Sequence, residues 1–241
     1  MDTRIDRFSW RTYDVNTLLP AGWRQEVLHV AQCHARDSVL LPRSVTSREG
    51  NPNLELPVAG VNSQQVRSLL PWLYESYTGL FRDLAQQSSS EPLVCAEGVE
   101  HSIVLNVQYG SAMRYEAHVD SNPLEGLLYA TDLPHGAGGE LVVANRPEAN
   151  SVAEIDSDCT VIYPVTGHLL LFDGRRWPHY VRPLTERCPL RVVAAMNFYT
   201  PSCPETHRPP DLTPHVRGYD VATIAHARRA AKQHAETGVP S

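Results

Sequence analysis

From Leu93 to about Tyr199 the sequence is a succession of short apolar runs, each closed off by Gly, Pro, Asn or Asp. The runs are Ser102–Tyr109, Gly126–Thr131, Glu140–Ala144, Cys159–Tyr163, His168–Phe172 and Leu190–Tyr199. Strands this short and this closely spaced, with no helical stretch between them, bury their apolar faces by closing on one another. The pattern predicts a barrel or a double-sheet jelly roll. The polar, acidic segment Asn145–Asp158 reads as an excursion loop.

The flanks differ. The first ninety residues read as helical. Val66, Leu69, Leu70, Leu73, Tyr77, Leu80 and Leu84 recur at helical steps behind Asn62-Ser63, and Pro71 divides the stretch into two helices. A shorter helix is expected from Gly22 to Cys33. After the β region comes a proline-rich extended tail, Pro201–Pro214, and then a final helix over Val221–Ala235. The expected organisation is one mainly β domain over 1–241. It has a helical part at 1–90, a β core at 93–199 and a tail with helix at 200–241.

Composition narrows the function classes. The net charge of -6 argues against a nucleic-acid surface. No apolar run approaches a membrane span, and the charged N-terminus MDTRIDRFSW lacks the apolar centre of a signal peptide. The five cysteines are widely spaced, with no C-x-x-C pair to suggest a zinc ribbon. The expectation is a soluble, reduced, cytoplasmic protein without a nucleic-acid or membrane partner. Oligomeric state leaves no mark in the sequence.

The chemistry concentrates in Tyr115-Glu116-Ala117-His118-Val119-Asp120. In an extended strand His118 and Asp120 share a face, so an imidazole and a carboxylate can reach one ion. His179, in Arg176-Trp177-Pro178-His179-Tyr180, is the best third ligand. Two histidines and one carboxylate leave half an octahedron open, which suits Fe(II) that must bind two further reactants. H-x-D alone fits a zinc or a structural site as well. Beyond His179 lies Arg191, set in an apolar strand whose alternation puts Arg191, Val193, Ala195 and Asn197 on one face. An arginine so placed needs an anion, and a carboxylate is its natural bidentate partner. Arg187, in the turn before Cys188-Pro189, is its rival, and an internal salt bridge is the bland alternative. His101, His135 and His168 read as structural, and Arg175-Arg176 as a solvated turn. Gly136-Ala137-Gly138-Gly139 is not a phosphate cradle, because no helix or Lys-Ser/Thr follows it.

Four features then occur in a familiar order. Gln108-Tyr109-Gly110 leads to Tyr115, His118-Val119-Asp120 and Asn122-Pro123. Leu128-Tyr129 precedes Gly138-Gly139-Glu140-Leu141. Tyr163-Pro164-Val165-Thr166-Gly167 enters Leu169-Leu170-Leu171-Phe172. His179 is followed by Arg191. Together these make Ile103 to Tyr199 resemble the 2-oxoglutarate/Fe(II) dioxygenases, specifically their prolyl-4-hydroxylase-like branch. The loop between His179 and Arg191 is longer than in the closest patterns, which keeps Arg187 in play.

The resemblance implies a double-stranded β-helix of the jelly-roll, cupin-like kind with iron at one mouth. It implies Fe(II), 2-oxoglutarate and O₂ as cofactor and co-substrates. His118, Asp120 and His179 would be ligands, and Arg191, Tyr109 and Tyr129 co-substrate contacts. Related halogenases carry a small residue where Asp120 stands, so hydroxylation is the expected outcome. A compact oxygenase of this kind also resembles hydroxylases of amino acids. The substrate expected is a free amino acid or a small metabolite derived from one, with Asn122, Trp177 and Asn197 near it. Hydroxylation of a protein side chain is the alternative within the class, and a non-catalytic jelly-roll binding module the alternative outside it.

Overall fold

The computed structural model describes residues 7–98, 100–185 and 190–212. The expected helix at Val221–Ala235 and the rival Arg187 lie outside the described residues. Twelve strands are β1 (Trp10–Asp14), β2 (Arg36–Leu40), β3 (Leu56–Val61), β4 (Val94–Cys95), β5 (Ile103–Gln108), β6 (Tyr115–His118), β7 (Leu124–Tyr129), β8 (Leu141–Ala144), β9 (Cys159–Ile162), β10 (His168–Phe172), β11 (His179–Val181) and β12 (Arg191–Tyr199). The larger sheet runs β1-β10-β7-β12-β5-β3-β2, with β4 added at the far end of β12, and the smaller runs β6-β11-β8-β9. All the pairings are antiparallel. This is the double-sheet jelly roll that the run of short strands predicted, and the double-stranded β-helix that the resemblance implied.

Alternation along the strands sorts side chains into three layers. The outer face of the larger sheet, with Leu105, Leu128, Leu169, Val192, Ala194, Met196 and Phe198, packs on the helices. The inner faces meet in a second cluster of Leu127, Tyr129, Leu141, Val143, Leu170, Phe172, Val181, Val193 and Ala195. Beneath the smaller sheet, Ala117, Val142, Ala144 and Tyr180 pack with Ile155. Each fully buried aliphatic or aromatic side chain contributes about 1.5–3 kcal/mol, so the sheets are held from both sides.

The helices follow the sequence closely. α1 (Trp23–His34) buries Trp23, Val27, Val30 and Ala31. α2 (Ser63–Leu69) begins with a capping box in which Asn62 and Gln65 satisfy each other's backbone N–H groups. Pro71 opens α3 (Pro71–Ser76), where its missing N–H costs nothing. A π-helical turn, Tyr77–Phe81, leads into α4 (Arg82–Gln86). Among the described residues no helix is long and apolar enough to cross a membrane.

Two expectations are corrected. The first ninety residues also hold β1, β2 and β3. β1 and β2 are the outermost strands of their sheet, β1 largely exposed and β2 only partly buried, and so carry little period-two signal. In β3, Pro57 and Gly60 disguise the strand; a Cβ at Gly60 would lie 2.8 Å from the Leu105 carbonyl oxygen. The supposed loop Asn145–Asp158 contains α5 (Val152–Ser157), which starts where the Ser151 hydroxyl accepts from the Glu154 N–H at 3.2 Å.

Candidate metal centre

His118 closes β6 and His179 opens β11, and the two are paired residues across the antiparallel ladder. Their ring centroids are 4.4 Å apart. Asp120 lies just past the end of β6, its N–H donating to the Gly174 carbonyl at 2.9 Å. His118 Nε2 is 3.3 Å from Asp120 Oδ1, and His179 Nε2 is 3.8 Å from Asp120 Oδ2. One ligand atom from each residue falls within 4.8 Å of the others.

β6 is the edge of its sheet, and the loop Ser44–Glu49 covers it. The Arg48 N–H donates to the Ala117 carbonyl at 2.6 Å and the Val119 N–H to the Thr46 carbonyl at 3.0 Å. Glu49 accepts from the Ala117 N–H at 2.5 Å and from both terminal nitrogens of Arg114 at 2.6 and 2.7 Å. These bonds fix the backbone that carries His118 and Asp120.

Each histidine is oriented by its own chain. His118 Nδ1 donates to the Glu116 carbonyl at 2.8 Å, and His179 Nδ1 to the Trp177 carbonyl at 2.9 Å. Both Nε2 atoms are thereby turned to the shared space, with the tautomer a metal ligand needs. Burial alone would lower the His118 pKa, but the hydrogen bond and charge of Asp120 outweigh it and raise it to about 9. His179 goes the other way, down to about 4, because burial and the charge of His118 exceed the pull of Asp120. Burial also opposes the charge of Asp120, yet the two histidines and Arg208 hold its pKa below the ordinary value. Two imidazole nitrogens and one ionised carboxylate on one side of a point fit an octahedral divalent metal with open positions. Asp120 Oδ2, buried and without a hydrogen bond among the described residues, is the kind of atom such an ion satisfies.

Arg191 begins β12 and is only 1% exposed. Its side chain lines the same cavity as the triad, with Val193 and Ala195 between it and the opposite end. Among the described residues its Nε and Nη1 meet no acceptor. The Tyr129 hydroxyl is buried with Arg191 as its polar neighbour, and the Arg191 guanidinium lies 5.8 Å from the Tyr129 ring centre. Burial lowers the Arg191 pKa, with Tyr129 and Tyr115 opposing. A buried cation in a cavity wall, with N–H groups that meet no acceptor among the described residues and a phenol behind it, forms a receptor for a carboxylate.

Of the other expected site residues, Asn122 and Asn197 line the cavity. The Asn122 amide donates to the Leu124 carbonyl and to Glu125, and that of Asn197 to the His101 carbonyl at 2.5 Å. Tyr109 does not line the cavity; it is 41% exposed on the turn after β5. Trp177 is 3% exposed and packs edge-on against Phe8, so its ring is core and only its carbonyl serves the site. His168 pairs with Asp14 in the strand ladder, His135 stacks on Tyr163, and His101 Nε2 meets Glu205 at 2.7 Å.

Three cavity residues escaped sequence reasoning. Tyr115 reaches in, its hydroxyl donating to Asn106 Oδ1 at 2.5 Å. Simple alternation sets Tyr115 and His118 on opposite faces. The ladder, however, pairs His179 with His118 and Val181 with Tyr115, and the extra residue on β6 returns Tyr115 to the inner face. Glu125 is 7% exposed in the cavity wall. Arg208 arrives from the tail.

The comparisons agree with this geometry. Residues 105–199 match the model of the 2OG-Fe(II) oxygenase superfamily. No curated protein matches the chain in sequence. The fold is similar to the crystal structure of AviO1 from Streptomyces viridochromogenes Tue57, at 15% identity and TM-score 0.59, over 86% of this chain and 95% of that one. It is similar to HygX from Streptomyces hygroscopicus with nickel and 2-oxoglutarate bound, at 12% identity and TM-score 0.54, over 82% and 85%. It is also similar to the non-heme alpha ketoglutarate dependent epimerase SnoN from nogalamycin biosynthesis, at 14% identity and TM-score 0.54, over 86% and 87%. Over residues 105–199, the stretch that carries the triad and Arg191, this chain is similar to the 2OG-Fe(II) oxygenases, enzymes that work with Fe(II), 2-oxoglutarate and O₂.

Proposed function

We propose that this protein hydroxylates an unactivated C–H bond of a free amino acid or a small amino-acid-derived metabolite. In the balanced reaction, substrate C–H, 2-oxoglutarate and O₂ give substrate C–OH, succinate and CO₂. His118, Asp120 and His179 hold the iron, which when bound supplies the activation of O₂ that the side chains cannot. Arg191 and Tyr129 hold the far carboxylate of 2-oxoglutarate. The observation that carries the reading is the buried Arg191 guanidinium in the same cavity as the triad, two of whose nitrogens meet no acceptor among the described residues.

The residues themselves bind, orient and exclude. The Nδ1–carbonyl bonds keep both imidazoles aimed. Val193, Ala195, Leu127 and Phe172 make the walls apolar, which limits water near the reacting atoms. The cavity of about 130 Å³ favours a small substrate. An outer groove of about 770 Å³ adjoins it, sharing His101, Val104, Tyr115 and Arg208, and this favours the second reading, a protein side chain. Succinate release from 2-oxoglutarate, assayed across free amino acids and short peptides, separates the two. Stimulation by amino acids supports the first reading; stimulation by peptides alone replaces it with the second.

A further inference from the structure

Arg191 accounts for one end of the cavity. Beside Asp120 the cavity wall holds a second, partly buried cation, Arg208, that the reaction outlined above does not use. After β12 the chain turns back through a Thr200–Cys203 bridge. Glu205 then locks the tail by accepting from the Glu97 N–H at 2.8 Å, the Gly98 N–H at 3.1 Å and His101 Nε2 at 2.7 Å. This anchor sets Arg208 into the wall that the inner cavity and the outer groove share. Leu212, further along, is buried and lines the inner cavity too.

The guanidinium of Arg208 is only partly satisfied. Nη1 donates to the Ser121 hydroxyl at 3.3 Å, beside Asp120. Nε is buried and meets no acceptor among the described residues. Burial lowers the Arg208 pKa, and the charges of Glu205 and Asp120 and the Tyr199 hydroxyl only oppose that. Both nearby carboxylates have other work: Glu205 is bound to His101 and two backbone N–H groups, and Asp120 faces the two histidines. With a metal on Asp120, that carboxylate no longer offsets the charge of Arg208, which favours a substrate that brings an anion with it.

We propose that Arg208 is a substrate-binding residue that takes a carboxylate of the oxidised substrate and so positions its C–H bond at the metal. The substrate class is an acidic small molecule, which an amino acid satisfies and a neutral peptide side chain does not. The inference rests on the reading of His118, Asp120 and His179 as the metal site. A planar guanidinium with free N–H groups matches a carboxylate in shape and charge.

The test uses the full chain loaded with Mn(II) and saturated with 2-oxoglutarate, so that Arg191 and the metal's co-substrate positions are filled. Trifluoroacetate is the probe, trifluoroacetamide its neutral control, and ¹⁹F relaxation enhancement by Mn(II) the readout. The wild type is expected to enhance trifluoroacetate and not the amide. Arg208→Gln is expected to lower that enhancement by about tenfold or more, the size of a lost charge-assisted hydrogen bond, and Arg208→Lys to restore part of it. Equal enhancement of acid and amide, or undiminished enhancement in Arg208→Gln, overturns the proposal. Mn(II) binding read by electron paramagnetic resonance, in the wild type and in His118→Ala, reports separately on the metal site. Failure there counts against the triad rather than against Arg208.

Discussion

Gly174 makes room for the carboxylate of Asp120. The two residues are joined by a 2.9 Å hydrogen bond from the Asp120 N–H to the Gly174 carbonyl, and a Cβ built on Gly174 would overlap Asp120 Oδ2. Gly174→Ala therefore displaces the carboxylate without touching a histidine. The expected result is loss of divalent-metal affinity by at least about tenfold, with the circular dichroism spectrum retained. Gly79→Ala, where nothing lies within 4 Å of the added carbon, should leave metal binding unchanged. Isothermal titration with Mn(II) distinguishes the two.

Metal binding should release a proton. At pH 7 His118, with its pKa near 9, is protonated, while His179, near 4, is already neutral. A metal ion needs the Nε2 lone pair of His118 and must expel its proton. Apparent affinity should climb by about one log unit per pH unit between these two values and level off above the higher. Titrations in buffers of different ionisation enthalpy should return about one proton released per metal. Affinity that does not vary from pH 6 to pH 8 would contradict this.

Arg191 should destabilise the protein when no co-substrate is present. Its guanidinium is buried with two nitrogens unpaired among the described residues. Arg191→Met keeps most of the volume and removes the charge, so the ligand-free variant should be more stable by on the order of 1–4 kcal/mol. Chemical denaturation without 2-oxoglutarate measures it. A less stable variant would mean that the arginine is satisfied structurally.

Glu125 should make the metal-free protein less stable as pH rises. Burial and the charge of Asp120 lift its pKa well above the ordinary 4.5, against the opposing hydrogen bonds of Asn122 and the Met196 backbone. The folded state therefore keeps a proton that the unfolded chain gives up. This contribution is fully present below pH 4.5 and is lost progressively as pH climbs toward the raised folded value. Glu125→Gln cannot titrate and keeps the size of the side chain. Its melting temperature in EDTA, relative to wild type, should rise between pH 5 and pH 8. Parallel curves would refute the assignment.

Much of this was readable in the chain because period two governs a strand. Arg191, Val193, Ala195 and Asn197 line the cavity as alternation predicted, and His118 and Asp120 converge with His179. Local irregularity hid Tyr115, since only the ladder reveals the extra residue on β6. Long-range return hid Arg208, whose place depends on Glu205 reaching Glu97, Gly98 and His101. Trp177 and Tyr109 were misplaced for a simpler reason. Nearness to His179, for Trp177, and a position matched by resemblance, for Tyr109, do not say which way a side chain on a turn points, and one went to the core and the other to solvent.

The central claim joins the triad to Arg191 through one dicarboxylate, and it can be measured without knowing the substrate. Fe(II)-loaded protein, kept anaerobic, is titrated with 2-oxoglutarate and with 2-oxobutanoate, which lacks the far carboxylate. Binding is followed by the visible charge-transfer band of the chelated 2-oxo acid. The account predicts that the wild type prefers 2-oxoglutarate by about a hundredfold or more. It predicts that Arg191→Met binds both compounds equally weakly, and that His179→Ala gives no band with either. A preference that survives in Arg191→Met, or a full band in His179→Ala, would contradict it.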